Sequence, residues 1–261
     1  MNRITVGYYK TIVYYMTAEI KFPTEVVELP SKGKLYPKTS ALSTGTVEMR
    51  YMTAADEDLL TNPSYIERGT VIDKLLQSLI VDKNIDYSDL LIGDKNALLI
   101  AARILGYGKM YTIQYGGKEI DIDLTEIEDK PLHEVIEKAT ENRFDYKLPV
   151  SGNVITFKLL THGDEQLIEQ ELKGLKKLGR EILPELTTRM KYMILAVDGN
   201  DDKKVCRDFA DSMLAVDARN FRKYVSEIQP DVDMRFYPEN GPESGVNIPI
   251  NIQFFYPDFE A

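Results

Sequence analysis

Several short stretches of the chain place apolar residues at every second position, which is the spacing of a strand with one buried face. Residues 47–51 show this alternation, and residues 153–160 form another predicted strand after a turn. The clearest signal is a pair of alternating runs, at 110–115 and 118–124, separated by two glycines at 116–117. Because paired glycines suit a two-residue turn between antiparallel strands, the sequence predicts a β-hairpin here.

Other stretches repeat apolar residues at intervals of three and four, the spacing of a helix with one buried face. Residues that commonly cap helix starts precede several of them, including Asp94, and Thr70 with Asp73 three residues later. The predicted helices lie around 56–60, from Thr70 to about Ile80, from about Asp94 to Gly106, from Thr161 to about Leu178, from Thr187 through Val197, from Asp201 or Asp202 to Met213, and from Asp217 to just before Pro230. Residues 246–256 are predicted as an edge strand, because Pro249 lies within them.

These elements predict an α+β fold. Its N-terminal half mixes strands and helices with the β-hairpin, and its C-terminal half is mainly helical with a terminal β segment. A turn-rich stretch at 147–152 is the predicted boundary between an α+β domain at 21–150 and a helical domain at 151–261. Residues 1–20 are interpreted as a tyrosine-rich leader segment without the apolar core of a signal peptide. Met1 and Met16 are alternative starts, which N-terminal sequencing distinguishes.

Composition narrows the classes of partner. Of the 261 residues, 43% are hydrophobic and 28% are charged, which is typical of a globular protein, and the net charge is −10. Nucleic-acid binding depends on lysine and arginine side chains that neutralise phosphates, so this charge argues against DNA, RNA or anionic lipid. No apolar run approaches the roughly twenty residues that cross a membrane. We therefore expect neither a nucleic-acid partner nor a membrane partner.

The residue types that most enzymes and metal sites use are scarce. The two histidines, His133 and His162, lie far apart in the sequence, and the single cysteine, Cys206, falls near the apolar face of a predicted helix. One cysteine excludes an intrachain disulfide and a zinc site built from several thiolates. The sequence has no phosphate-binding glycine loop and no serine-nucleophile motif. We expect no enzyme activity, no cofactor and no bound metal.

Frequent carboxylates leave one enzymatic alternative open. Two carboxylates on either side of a sugar are what a glycoside hydrolase needs, and the sequence contains close pairs such as Asp121 with Asp123 and Asp231 with Asp233. The chain has no tryptophan, although sugar clefts usually contain aromatic platforms. A cell-wall hydrolase is therefore kept as the second hypothesis.

Aromatic residues are concentrated at both ends of the chain. The C-terminal group consists of Phe254, Phe255, Tyr256 and Phe259. Terminal aromatics are hard to bury within one domain, and protein interfaces are enriched in tyrosine and phenylalanine. We predict that this group contacts another protein, and packing in the chain's own core is the alternative.

Three stretches, in this order and spacing, carry a resemblance to a known family. They are residues 28–37 (ELPSKGKLYP) continuing through 47–53 to 56–60 (DEDLL), residues 85–108 with LLIGD at 90–94 and RILGYG at 103–108, and residues 217–224 (DARNFRKY) continuing through 230–233 to 248–249 and to FFYP at 254–257. The chain resembles the T-even-type phage baseplate hub assembly proteins and their relatives in contractile-tail phages. None of the three stretches is a catalytic signature.

The resemblance implies a role in the host cytoplasm, where the protein helps to build the hub at the centre of the phage baseplate. It implies hub or tape-measure proteins as partners, with a homo-oligomer as a further option. The protein either stays in the virion as a hub component or leaves as a chaperone, and a tail-associated hydrolase is the alternative. Leu35 and Tyr36, within the first stretch, join the C-terminal aromatics as candidate interaction residues.

The sequence departs from the family at one place. Relatives often carry a Cys-x-x-Cys-Gly knuckle before the terminal strand, whereas residues 237–241 of this chain read YPENG. Because thiolates would be the ligands, we expect no zinc at this position.

Overall fold

The computed structural model describes residues 22–238, 242, 245–250 and 252–255. The α-helices are α1 (Ala54–Leu60), α2 (Pro63–Arg68), α3 (Val71–Leu79), α4 (Ile92–Tyr107), α5 (Glu134–Lys138), α6 (His162–Lys177), α7 (Glu185–Met193), α8 (Lys203–Ser212) and α9 (Ala215–Ile228). The strands are β1 (Thr24–Glu28), β2 (Thr46–Arg50), β3 (Met110–Tyr115), β4 (Lys118–Asp123), β5 (Phe144–Lys147), β6 (Val154–Phe157), β7 (Ile194–Val197), β8 (Arg235–Phe236) and β9 (Val246–Asn247). The predicted leader at 1–20 lies outside the described residues.

The strands form small antiparallel sheets rather than one large sheet, and the α+β class predicted from the sequence is confirmed. β1 pairs with β2, β3 with β4, and β8 with β9, while β6 lies between β5 and β7. The β3–β4 hairpin is the one that the alternating pattern predicts, with Tyr115 opposite Lys118 across the Gly116-Gly117 turn. Both glycines have positive φ, at 59° and 76°, which a turn of two residues requires.

Buried apolar residues from both halves of the chain form one cluster, from Leu29 near the start to Phe255 at the end. The predicted domain boundary at 147–152 lies in the turn between β5 and β6, where Lys147 pairs with Val154. Residues on both sides of this boundary therefore belong to one sheet and to one core.

Two of the predicted helix caps have the expected geometry. Thr161 and Asp164 form a capping box at the start of α6, because each side chain bonds the other residue's backbone N–H. At α8, the Asp202 side chain accepts from the N–H groups of Lys204 and Val205 at 2.9 and 3.0 Å. These caps use partners within three residues, so the local sequence is sufficient to specify them.

The predicted cap at Asp94 is wrong, because this side chain serves a distant part of the chain. α4 begins earlier, after Leu91, and Asp94 lies in its first turn with no solvent exposure. The carboxylate accepts from the N–H and hydroxyl of Ser31 at 2.9 and 2.7 Å, and from the Tyr36 hydroxyl at 2.5 Å. Asp94 thus ties residues 29–37 to α4.

The caps predicted at Thr70 and Asp217 differ from the structure for the same reason. Thr70 precedes α3 but makes no side-chain cap, and Asp73 bonds to other helices instead. Asp217 lies in the first turn of α9 and accepts from the N–H groups of Val150 and Ser151, both at 2.9 Å. In both places tertiary partners take the side chain that the sequence pattern assigns to a cap.

Two predicted elements change type. The helix predicted from Thr187 through Val197 ends at Met193, and Ile194–Val197 is β7, which pairs with β6. The four residues of β7 are too few for their spacing to separate a helix from a buried strand. At the C-terminus, β9 covers Val246–Asn247 and Ile252–Phe255 is a 3₁₀ helix, in place of one long strand.

Candidate protein-interaction site

The two candidate interaction residues from the first stretch lie inside the fold. Leu35 is 3% exposed and Tyr36 is 5% exposed. The Tyr36 hydroxyl also accepts the N–H of Leu91 at 2.9 Å while it donates to Asp94. Burial and the neighbouring Asp94 charge raise the pKa of Tyr36 above its usual value. In the folded chain neither Leu35 nor Tyr36 can contact a partner, which corrects the prediction for both.

The C-terminal aromatics that the structure describes are also buried. Phe254 and Phe255 have no solvent exposure, and the Phe254 ring meets Tyr111 of β3 edge-on with centroids 4.9 Å apart. Packing in the chain's own core, the alternative considered from the sequence, accounts for these two residues. Tyr256 and Phe259 lie outside the described residues, so the interface prediction for them stays a prediction.

An open groove of about 850 Å³ lies between β4 and β8. From β4 it is lined by Ile120 and Ile122 and also by Asp121 and Asp123, whereas β3 contributes Tyr115. Successive side chains of a strand point to opposite faces of its sheet. Lining by both sets of β4 side chains therefore means that the groove follows the edge of β4 rather than one face of the hairpin. We call it the β4 groove.

Contacts between the hairpin and the C-terminal segment close both ends of the β4 groove. At one end the Tyr115 ring meets Phe236 of β8 edge-on, with centroids 5.5 Å apart. At the other end the Asp233 N–H donates to the Glu128 carbonyl at 2.8 Å. Between them runs β4, whose six residues extend about 20 Å.

Backbone groups of β4 are unpaired along this edge. The Leu124 N–H donates to the Lys109 carbonyl at 2.8 Å, which makes this a hydrogen-bonded pair of the antiparallel ladder. Such pairs alternate along a hairpin, so the N–H and C=O groups of Glu119 and Asp121 point away from β3. Among the described residues, no backbone group bonds to these four groups. An edge of this kind is a template for another strand.

The side chains around the edge combine apolar and acidic character. Apolar side chains line the groove beside the strand, namely Ile120, Ile122, Ile127, Phe236 and Ile248. Five carboxylates and two cationic side chains also line it, namely Asp121, Asp123, Glu126, Glu128 and Asp233, with Lys118 and Arg235. The lining thus carries an excess of negative charge beside an apolar surface.

Nearby cations keep two of these carboxylates ionised in neutral solution. Lys109 donates to Asp123 at 2.6 Å, and this bond, with bonds from Thr125, lowers the pKa of Asp123 to about 2. Arg235 donates through two nitrogens to Asp233, both at 2.5 Å, and lowers the pKa of Asp233 against the opposing effect of burial. Neither carboxyl is a proton donor near neutral pH.

A second cavity, of about 490 Å³, lies beside a buried polar cluster. His162 is 4% exposed, with Nε2 3.3 Å from Oδ2 of Asp73 and Nδ1 3.1 Å from Nζ of Lys95. Lys95 and Tyr87 donate to Oδ1 of Asp73 at 2.7 and 3.0 Å. Burial opposes ionisation of Asp73, but hydrogen bonds from His162 and Lys95 outweigh it and lower its pKa to about 2. The cluster ties α3, α4 and α6 together.

The remaining candidates for chemistry have structural positions. Cys206 is 3% exposed, as predicted for a core cysteine, and burial followed by the nearby Asp202 and Asp201 charges raises the pKa of its thiol. His133 accepts the Val135 N–H at 3.2 Å and so caps α5. A thiol with a raised pKa is a poor nucleophile, because the thiolate is the reactive form.

Among the described residues, no three histidine, cysteine, aspartate or glutamate side chains are grouped so that they could hold a metal ion. In that same part of the chain, no helix combines the length and apolar character that a membrane crossing requires. Comparison with protein-family models gives no match, and comparisons with curated proteins and with solved structures give none either.

The sequence does not reveal the β4 groove, although some of its residues attract attention. The groove brings together three residues of the acidic pairs considered for a hydrolase, namely Asp121, Asp123 and Asp233. Asp233 lies about 110 residues after the other two in sequence. One local signal was available. Acidic residues occupy every second position of β4, and in a two-stranded hairpin β3 pairs with only one edge of β4, which leaves the other edge free.

Proposed function

We propose that this protein takes part in assembly of a phage baseplate hub through protein–protein contacts, as a hub component or an assembly chaperone. The resemblance of three stretches to the T-even-type hub assembly proteins supports the biological setting. The β4 groove is the observation that supports the contact itself, because an unpaired strand edge, an apolar lining and a charged rim occur together.

The features of the β4 groove suit a polypeptide ligand. A segment that adds to a sheet edge gains main-chain hydrogen bonds, and pockets beside the edge select its alternate side chains. Glu119 and Asp121 offer the main-chain groups, and Ile120 with Phe236 offers apolar contact. Because the groove is open along its length, a segment of a folded partner can lie in it.

The hydrolase alternative requires a carboxyl group with a different pKa. A glycoside hydrolase needs a carboxylic acid whose pKa is raised, so that it can protonate the leaving group. In the β4 groove, Asp123 and Asp233 have pKa values that are lowered instead. These two groups therefore favour binding of cations over acid catalysis. Clearing of a peptidoglycan gel by the purified protein would support the hydrolase.

The proposal is tested by capturing partners with the intact chain. Tagged protein is co-expressed with the hub and tape-measure proteins of its phage, and we expect at least one of them to be retained. The variant Glu126→Lys/Glu128→Lys reverses two exposed charges in the groove and should reduce retention. Asp58→Lys/Glu67→Lys reverses two exposed charges on α1 and α2 and serves as the matched control. Failure of every tail component to bind the intact chain would overturn the proposal.

A hub component is present in the mature particle, whereas an assembly chaperone is absent from it. Mass spectrometry of purified virions measures the copies of this chain relative to known tail proteins. A near-stoichiometric amount identifies a hub component, and absence from particles whose assembly needs the protein identifies a chaperone.

A further inference from the structure

We infer that the β4 groove binds a basic, extended segment of a partner protein, which pairs with β4 as a third strand of the hairpin sheet. The inference rests on the proposed function, since it names the part of the partner that the groove would hold.

The unpaired edge sets the shape of the segment. Glu119 and Asp121 each present one N–H and one C=O group away from β3, which allows four main-chain hydrogen bonds with an added strand. β4 has six residues, so the matching segment is about six residues long. Alternate side chains of the segment would face Ile120 and Ile122, which lie on the inner face of the hairpin.

The acidic lining sets the charge of the segment. Asp123 and Asp233 already have cationic partners, Lys109 and Arg235. The carboxylates of Glu126 and Glu128 are exposed, and within the described residues no hydrogen bond or salt bridge engages them. Lys109 interacts with Glu126 only through its charge, without a salt bridge, so a lysine or arginine at the end of the segment nearest residues 126–128 would supply a closer opposite charge.

The charge of the chain itself argues against a second copy as the occupant. The net charge is −10, so two copies repel each other at long range. If β4 (KEIDID) paired with β4 of a second copy, its acidic residues would lie opposite one another, and like charges opposite each other destabilise a sheet. Residues 1–21 of the same chain carry Arg3, Lys10 and Lys21 and are the competing occupant that the experiment must address.

The test uses the full chain and a synthetic peptide of six alternating lysine and valine residues, with the alternating glutamate and valine peptide as control. Hydrogen exchange is followed at the amides of Glu119 and Asp121. We expect fast exchange in the free protein, strong protection with the lysine peptide, and no protection with the glutamate peptide. Fluorescence anisotropy of the labelled lysine peptide gives the affinity, which should weaken as salt is added.

Paired variants separate the main-chain contact from the charge. Asp121→Pro removes an outward N–H without removing a bond to β3, since proline is tolerated at such edge positions. Relative to Asp121→Ala, which keeps the N–H, it should weaken peptide binding about tenfold. Thr112→Pro removes the equivalent N–H on the outer edge of β3 and should leave binding unchanged, while it controls for damage to the hairpin. Glu126→Lys/Glu128→Lys should also weaken binding about tenfold.

Each outcome decides between occupants. Protection of both amides in the free monomer would overturn the inference in favour of another segment of the same chain, of which residues 1–21 are the basic candidate, and protection that grows with protein concentration would overturn it in favour of a second copy. Equal binding by Asp121→Pro and Asp121→Ala would exclude strand addition. Capture of a hub protein that is insensitive to all groove variants would leave the proposed function standing and overturn this inference. Peptide binding that depends on the groove, without capture of any tail protein, would leave this inference standing and overturn the proposed function.

Discussion

Replacing Asp94 tests whether one buried carboxylate holds residues 29–37 against α4. Its two oxygens accept three hydrogen bonds from Ser31 and Tyr36, and the side chain has no solvent exposure. Burial raises the pKa of Asp94 even though these bonds oppose that rise. The carboxyl is therefore costly to bury and is kept in place by its donors.

The cost of Asp94→Ala follows from the donors that it leaves behind. The Ser31 N–H, the Ser31 hydroxyl and the Tyr36 hydroxyl would lose their acceptor in a site closed to water. A buried donor left unpaired costs about 1–3 kcal/mol, and the desolvation of the removed carboxyl is recovered in part. We expect a loss of about 3 kcal/mol in the free energy of unfolding. Adding Ser31→Ala removes one orphaned hydroxyl but also the acceptor of the Gly33 N–H at 3.2 Å, so it should restore at most about 1 kcal/mol.

Urea unfolding of the four proteins, namely wild type, each single variant and the double variant, measures both quantities. Circular dichroism follows the unfolding, and the double-mutant cycle gives the coupling energy between Asp94 and Ser31. A loss below about 1 kcal/mol for Asp94→Ala, or strictly additive effects, would show that the loop is held by its apolar contacts instead.

Three further predictions concern other parts of the core. Gly93→Ala should cost at least about 2 kcal/mol in urea unfolding, because its Cβ would lie 1.8 Å from the Pro230 carbonyl oxygen; Gly174→Ala, which meets nothing within 4 Å, should be neutral or stabilising. The pKa of Asp73 falls from 3.8 to about 2 on folding, so about 2 kcal/mol of stability should be lost as the pH falls through that interval. Because other carboxyls with lowered pKa values, such as Asp56, titrate in the same range, the readout is the difference in unfolding free energy between wild type and Asp73→Asn, which should shrink by about 2 kcal/mol between pH 5 and pH 2. The thiol of Cys206 should react slowly with a disulfide reagent in native protein and rapidly in urea.

Patterns that act within a few residues were readable from the sequence. The β3–β4 hairpin is specified by alternation around two glycines, and the α6 capping box by Thr161 and Asp164. In both cases the residues that decide the structure are neighbours, and the cap forms although Lys158 also donates to Asp164 at 2.7 and 2.8 Å. At these places the local sequence preference and the folded structure agree, and a sequence pattern predicts the structure correctly under that condition.

Aspartates near helix starts are the residues whose role the sequence pattern does not predict correctly. Asp164 and Asp202 cap their helices, but Asp94 and Asp217 instead bond residues about 60 positions away in sequence. A short acidic side chain can accept from a local N–H or a distant one, and the sequence does not say which donor arrives. The same limit applies to β7, whose strand identity comes from pairing with β6 rather than from its own spacing.

The same C-terminal segment supplies buried aromatic residues to the core and side chains to the lining of the β4 groove. The 3₁₀ helix at Ile252–Phe255 packs Phe254 on Tyr111 of the hairpin, so Phe254 and Phe255 belong to the core rather than to the surface. β8 belongs to the same C-terminal segment and contacts the hairpin through Phe236 and Tyr115. It pairs with β9 and not with β4, so the edge of β4 stays unpaired. A segment that closes the core without pairing with β4 leaves unpaired main-chain groups beside an acidic rim. The proposed partner contact is therefore argued from the edge of β4 and not from Phe254 and Phe255, which are buried.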